Sequence, residues 1–356
     1  MRLAIPPTCL GPIFKNVGQV ACFAGDPAVA VAARLRELAM LHRPNSLRPI
    51  CLQAGDRVRL VSPASTPLKE GVDRCARLYE SWGLRVEIGR HAFCEVGYLA
   101  GTDEQRLADL NEALRDDGVR AIFATTGGKG SYRIAQRLDF DAATRNPKFL
   151  VGFSDITALH LALLKSSKLV GVHGLLSSWS DDYIGPQSVE ALRRALMTED
   201  EVLVHSDPLE PTASLTTKGI ACGHLIGGNL DTLAITAGWA LPSLEGAILL
   251  IEAANMGLGH VDRQLTMLTN AGHLKGILGI AVGQFTNLDA HGNWTIIDVL
   301  RDHLNRYGIP ILGGLPIGHG KNPQTVPLGT LATLNADAGT LCVLSAGQIS
   351  HVRRPQ

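Results

Sequence analysis

Apolar positions change their period repeatedly along this chain, and each change marks an element. From residue 54 short apolar runs alternate with helix-spaced ones. A strand over 57–62 follows the Gly55-Asp56 turn and stops at Pro63; a helix over 69–82 and a strand over 85–88 come next. Thr102 or Asp103 caps a helix running to 114, and a strand covers 119–124. Gly127-Gly128-Lys129-Gly130-Ser131 is a glycine-rich turn into a helix ending near 138. A buried strand at 149–151 then gives way to Ile156, Leu159 and Leu163 at helical spacing, and a strand over 169–172 ends at His173. Strands alternating with helices predict an α/β unit with a parallel sheet covered on both faces.

The rhythm breaks after Gly185-Pro186 and a helix over 188–196. Short β segments with Gly, Pro and Thr turns fill 202–225, Gly227-Gly228-Asn229 leads a helical stretch, and buried strands cover 247–251 and 277–285. Segments 330–334 and 341–344 read as a hairpin. These shifts predict an α/β unit over 49–185 and a β-rich mixed unit over 186–356. Residues 1–48, Pro-rich at the start with a lone helix over 28–41, share none of this rhythm and read as a dispensable N-terminal extension.

Composition narrows the class. A chain of 356 residues is long enough for two domains with sizeable cores. Its 33 basic residues balance 33 acidic ones without runs of one sign, so nothing points to nucleic acid or an anionic membrane. The seven cysteines are scattered without a Cys-x-x-Cys pair, as reduced thiols of a cytoplasmic protein would be. No apolar stretch approaches the ~20 residues that span a bilayer, and Asp26 interrupts the one near the N-terminus, so neither a membrane segment nor a signal peptide is expected.

The chemistry begins at Ser154, on the junction between the strand at 149–151 and the following helix. A serine there projects from the end of the sheet, and the backbone N–H of Asp155 at the helix start faces a developing oxyanion. The same segment also reads as a plain helix N-cap. Among the twelve histidines, His319 stands between Gly318 and Gly320, where the backbone can bend to aim the imidazole into a cleft; alone, Gly-His-Gly is also an ordinary turn. Glu252 closes the apolar run 247–251, so its carboxylate is expected where the sheet opens, either orienting an imidazole or facing water. The chain order Ser154, Glu252, His319 follows serine, acid, histidine, as in α/β hydrolases. The turn at 127–131 is no phosphate loop, because Gly130 follows the lysine where a hydroxyl is required; its Gly128 N–H can instead complete an oxyanion hole. No ligand spacing suggests a metal, and no cofactor fingerprint is present.

These residues resemble the LD-carboxypeptidases, a family of serine peptidases that includes the microcin C self-immunity peptidases. The likeness runs from about 54 to 343. It rests on Gly55-Asp56, Val61-Ser62-Pro63, Gly97-Tyr98-Leu99-Ala100-Gly101-Thr102-Asp103, Gly127-Gly128, Gly152-Phe153-Ser154-Asp155, Gly227-Gly228-Asn229-Leu230, Glu252, Val261-Asp262-Arg263-Gln264-Leu265 and Gly318-His319-Gly320. The resemblance implies a flavodoxin-like N-terminal domain, a β-rich C-terminal domain, a Ser154-Glu252-His319 triad between them, a homodimer and no metal. It also implies a small peptide substrate, a murein tetrapeptide cut before its terminal D-residue, with an aminoacyl-nucleotide amide as the alternative. A ligand-binding module without catalysis is the reading of another class. Thr126-Gly127-Gly128-Lys129-Gly130 and His173-Gly174-Leu175 depart from the family's Arg-Gly-Gly-Tyr-Gly and His-Gly-Pro, which bears on specificity. Lys129 is the candidate for the substrate carboxylate, with a solvated loop lysine as the alternative, and Trp179 for stacking on a base or packing between domains.

Overall fold

The computed structural model describes residues 46–174, 183–288 and 292–348. The first of its two sheets contains β1 (Arg57–Val61), β2 (Arg85–Ile88), β3 (Val119–Ala124), β4 (Phe149–Gly152) and β5 (Gly171–His173), parallel and in the order β2-β1-β3-β4-β5. That is the flavodoxin-like order, whose helical crossovers cover both faces. β3 shows the consequence of a period of two: Ile122 and Ala124 share a core with Leu110, Leu114 and Leu159, while Ala121 and Phe123 share the opposite core with Val72 and Tyr79. The Tyr79 ring stacks on Phe123 at 4.2 Å. Helix Asp103–Arg115 starts where expected, with a capping box between Thr102 and Gln105.

The second sheet contains β6 (Val202–His205), β7 (Ile220–Asn229), β8 (Ala247–Ala254), β9 (Gly279–Thr286) and β10 (Ile311–Leu312). β11 (Val326–Leu328) leaves for the first sheet, and β12 (Leu331–Asn335) and β13 (Thr340–Val343) complete the second in the order β10-β9-β8-β7-β12-β13-β6. β7 to β10 run parallel; β12, β13 and β6 are antiparallel, which makes this the mixed β-rich unit. Helices Leu258–Asn270 and Ile296–Leu304 pack on it through Val261, Leu265, Leu268, Val299 and Leu300, and were not read from the sequence.

Two features tie the sheets together. β11 pairs antiparallel with β5, Val326 opposite His173, so a strand from the far end of the chain forms an edge of the first sheet. Helix Thr157–Ser167 is apolar and buried nearly all round because it serves two cores: Leu159 and Leu163 join the first, Leu161 the second. Helix Pro186–Met197 packs Leu192 and Leu196 against Val58 and Phe149, which carries the first unit beyond the 185/186 boundary read from the sequence. A boundary inferred from pattern alone cannot register which core an amphipathic helix covers.

The start of the fold also lies earlier than Pro49. Leu47 N–H donates to Lys168 O (2.8 Å), Leu47 O accepts from Val170 N–H (3.1 Å), and Ser46 Oγ donates to Gly329 O (3.0 Å). Leu47 is also partly buried against the first core. A chain beginning at Pro49 should therefore melt a few degrees below one beginning at Ser46, because each lost part-buried hydrogen bond is worth about 1 kcal/mol and such a loss moves Tm by about 2–4 °C in a domain of this size. Equal melting of the two would show that residues 46–48 contribute nothing. No helix among the described residues is long and apolar enough to cross a membrane.

Candidate active site

β4 ends at Gly152, and the chain turns through Phe153 into a short 3-10 turn, Ser154–Ile156, that continues as helix Thr157–Ser167. Ser154 has a φ of 62°, in the left-handed region that residues with a Cβ rarely occupy. Such a conformation costs about 1–3 kcal/mol and persists only where neighbours enforce it. The enforcement here is visible in Asp155, whose Oδ2 accepts the Ser131 N–H (2.7 Å) while its backbone carbonyl accepts the Ser131 hydroxyl (2.6 Å). Burial pushes the Asp155 carboxyl up, with the Ser131 hydrogen bonds acting in the opposite direction. The helix-cap alternative for Ser154 does not hold: the N-cap positions are Phe153 for the turn and Ile156 for the helix, with no side-chain cap hydrogen bond at either.

Those hydrogen bonds also lock the glycine-rich turn beside the serine. Gly128 has a φ of 92°, and a Cβ on it would lie 2.3 Å from Ser65 Oγ, so only glycine fits. Ser65 N–H donates to Gly127 O (3.1 Å), and the Lys129 N–H donates to Ser65 Oγ (3.2 Å). The buried Arg106 guanidinium donates to Pro63 O (2.6 Å) and Gly130 O (2.9 Å), fastening the turn to the end of β1.

Glu252 lies on a strand of the other sheet, and His319 on the loop that runs from β10 of that sheet to β11 of the first. The sequence reading ends the strand at Glu252, but β8 continues to Ala254 and Glu252 is fully buried within it. Pairing resumes because β9 carries one extra residue opposite Glu252: Ile251 faces Val282, whereas Ala253 faces Phe285. Glu252 Oε2 accepts from His319 Nδ1 at 2.5 Å. A Cβ on Gly318, whose φ is 123°, would lie 2.8 Å from that same oxygen, which explains the glycine before the histidine. Burial alone lowers the His319 pKa, but the charge and hydrogen bond of Glu252 outweigh it and leave the imidazole raised. Burial likewise raises Glu252, and the charge and hydrogen bond of His319 bring it below the usual glutamate value. The Phe153 ring lies 4.7 Å from that of His319 and 5.5 Å from that of His173. Burial pushes His173 down to about 4, so it is neutral at ordinary pH. His160, buried on the helix after Ser154, faces Leu150 O through Nε2 at 3.1 Å.

Ser154 and His319 line one cavity of roughly 590 Å³ between the two units, together with Gly128, Lys129 and Asp155. Glu252 stands behind His319, away from the cavity wall. Lys129 is not an isolated cation: its Nζ lies 3.3 Å from Asp231 Oδ2, across the cleft, and Gln264 Nε2 donates to the other Asp231 oxygen at 2.5 Å. Trp179 lies outside the described residues. Sequence reasoning did not single out Asn229, Asp231 or His260, which also line the cavity. Asn229 had a legible signal, a capping residue between Gly-Gly and a helix: its side chain accepts the Thr232 N–H (3.3 Å), and its own N–H donates to Thr157 Oγ1 (3.2 Å) at the start of the helix that follows Ser154. Asp231 in that helix's first turn offered a weaker one, and His260 none. Among the described residues no group of His, Cys, Asp and Glu side chains is placed to hold a metal ion.

Residues 58–174 match the family model described as the LD-carboxypeptidase N-terminal domain, and residues 222–334 the model of its C-terminal domain. A putative carboxypeptidase of Synechocystis is 36% identical over 84% of this chain and 98% of its own length. The probable murein peptide carboxypeptidase of Bacillus subtilis is 36% identical over 84% of this chain and 95% of its own. The crystal structure of muramoyltetrapeptide carboxypeptidase from Oxalobacter formigenes superposes with a TM-score of 0.72 at 25% identity, covering 82% of this chain and 99% of that one. Both domain models matching in order, with relatives aligned over almost their whole lengths, show that the chain belongs to the LD-carboxypeptidase family.

Proposed function

We propose that this protein is a serine carboxypeptidase that hydrolyses the amide bond before a terminal D-amino acid in murein tetrapeptides, using Ser154, His319 and Glu252. The observation that carries the reading is the Glu252–His319 hydrogen bond of 2.5 Å beside the cavity that Ser154 enters from its left-handed elbow. With Nδ1 donating to Glu252, His319 presents Nε2 as its basic nitrogen. Ser154 Oγ attacks the scissile carbonyl carbon while Nε2 takes its proton, and the N–H groups of Asp155 and Gly128 receive the oxyanion. The imidazolium returns that proton to the leaving amine as the C–N bond breaks. Water, deprotonated by the same nitrogen, then cleaves the acyl-serine ester. Glu252 orients the ring and stabilises its charged form throughout.

The reading includes an N-terminal α/β unit that supplies the nucleophile and a β-rich unit that supplies Glu252 and His319. It extends to a cytoplasmic homodimer, the second part of which sedimentation of the purified chain tests. The nucleotide-amide alternative has no observation among the described residues in its favour.

The direct test supplies murein tetrapeptide and measures released D-alanine. Absence of release, together with no labelling of Ser154 by a fluorophosphonate, overturns the reading. Two further outcomes are expected. A carboxypeptidase must offset the terminal carboxylate in a partly desolvated cleft, so the C-terminal amide of the tetrapeptide should turn over at least tenfold more slowly, about 1.4 kcal/mol of discrimination. In Lys129→Ala that preference should shrink; a preference unchanged would free Lys129 of the role, and equal turnover of acid and amide by the native chain would remove the carboxypeptidase assignment.

The second outcome concerns pH. The base is the neutral imidazole, and its pKa is raised above the ordinary ~6.5. Activity should therefore rise with pH through a limb lying above that value and be lost as pH falls through it. A limb at or below ~6 in kcat/KM would contradict the Glu252 pairing.

A further inference from the structure

The residue that holds His319 in place from behind is Gln284. It lies on β9 in the stretch where that strand carries its extra residue opposite Glu252, and it is fully buried. Its backbone N–H donates to Ile317 O (2.8 Å), its Oε1 accepts the Gly320 N–H (2.7 Å), and its Nε2 donates to Lys321 O (3.2 Å). Three backbone groups of the loop, on both sides of His319, are therefore tied to one residue. The remaining Nε2 hydrogen goes to Glu210 Oε1 at 2.7 Å. The orientation of the amide is settled by its partners, since Gly320 offers only a donor while Glu210 and Lys321 offer only acceptors. Neither a carboxylate nor an apolar side chain could satisfy that set. The loop is shaped to match: a Cβ on Gly320 would lie 2.3 Å from the Gln284 amide, and one on Gly283 would lie 2.3 Å from Ile317 O. The second glycine of Gly-His-Gly thus exists for Gln284, as the first does for Glu252.

We propose that Gln284, braced by Glu210, is a positioning residue for the reaction: it sets the His319 loop so that Nδ1 meets Glu252 and Nε2 faces Ser154. It touches no substrate, so its removal acts on the chemical step and leaves binding largely intact. The proposal rests on the triad reading, and the tests separate the two.

The experiment compares native chain, Ser154→Ala, Gln284→Met, Gln284→Glu and the double variant Gln284→Glu/Glu210→Gln. The readouts are the rate of Ser154 labelling by a fluorophosphonate, kcat and KM on tetrapeptide, and melting temperature. Gln284→Met keeps the length but removes the amide. Its labelling rate and kcat should fall about 30- to 100-fold, as expected for a misplacement of about 1 Å, with KM within about threefold. Gln284→Glu puts a carboxylate against Glu210 and should lose at least as much; adding Glu210→Gln restores a donor to that oxygen and should recover the labelling rate at least fivefold. Should Gln284→Met not fold, the Gln284→Glu pair decides alone. Labelling and kcat within threefold of native in a folded Gln284 variant, a loss carried by KM, or no recovery in the double variant at equal stability would each overturn the proposal. Labelling or turnover persisting in Ser154→Ala would overturn the triad itself and this role with it.

Discussion

Ser154→Ala is expected to reduce turnover by about four to six orders of magnitude while the melting temperature stays where it is. The hydroxyl enters a cavity, so its loss opens no void in the core, and the hydrogen bonds that hold the elbow belong to Asp155 and Ser131. Turnover near the native rate in a folded Ser154→Ala chain would end the mechanism. Ser154→Gly adds a sharper expectation. Glycine ordinarily costs about 0.5–1 kcal/mol through lost conformational freedom, but at a φ of 62° it also relieves a left-handed strain of about 1–2 kcal/mol. The strain term is the larger, so Ser154→Gly should be as inactive as Ser154→Ala and melt at or above it. An alanine variant clearly more stable than the glycine one would remove the strain account without touching the chemistry.

Glu252→Gln should be the second most damaging change, lowering kcat about 10³- to 10⁴-fold. The glutamine nearly matches the shape of the glutamate, yet it can offer its amide N–H to Nδ1 and so favour the tautomer in which Nε2 carries the proton. It also removes the charge that outweighs burial at His319, so the residual activity should titrate at lower pH than in the native chain. A kcat within tenfold of native, or an acid limb that does not move, would show that Glu252 does not orient the base.

Much of the backbone frame around this cavity is legible in the sequence. The elbow at Ser154 and the glycine-rich turn depend on short-range signals: a change of period at Gly152, and glycines where φ is positive. Gly-His-Gly was legible as a bend, but its cause was not, since each glycine answers to a side chain far away in sequence, Glu252 and Gln284. Glu252 was read as the end of its strand. The strand goes on past it, and only a register shift in β9, invisible in β8's own residues, gives a buried carboxylate room at that point. β11 was unreadable, because three residues, Val-Pro-Leu, carry no period, and their partner β5 lies about half the chain away. Helix Pro186–Met197 was recognised as a helix and assigned to the wrong core, since periodicity shows that a face is apolar without showing what it covers.

The β11–β5 pairing has a consequence for how such a chain can be inherited. The loop that bears His319 leaves the second sheet at Leu312 and enters the first at Val326, so each half of the molecule completes the other. A gene fragment ending before Val326 encodes a first sheet whose β5 edge is bare, a template for pairing with other chains. Recombination that exchanges one half for a distant counterpart must match an edge strand, a helix shared by two cores and the reach of the His319 loop in a single event. Exchange of one half alone would have to satisfy all three demands together, whereas a substitution in the cleft leaves the shared edge strand and helix in place.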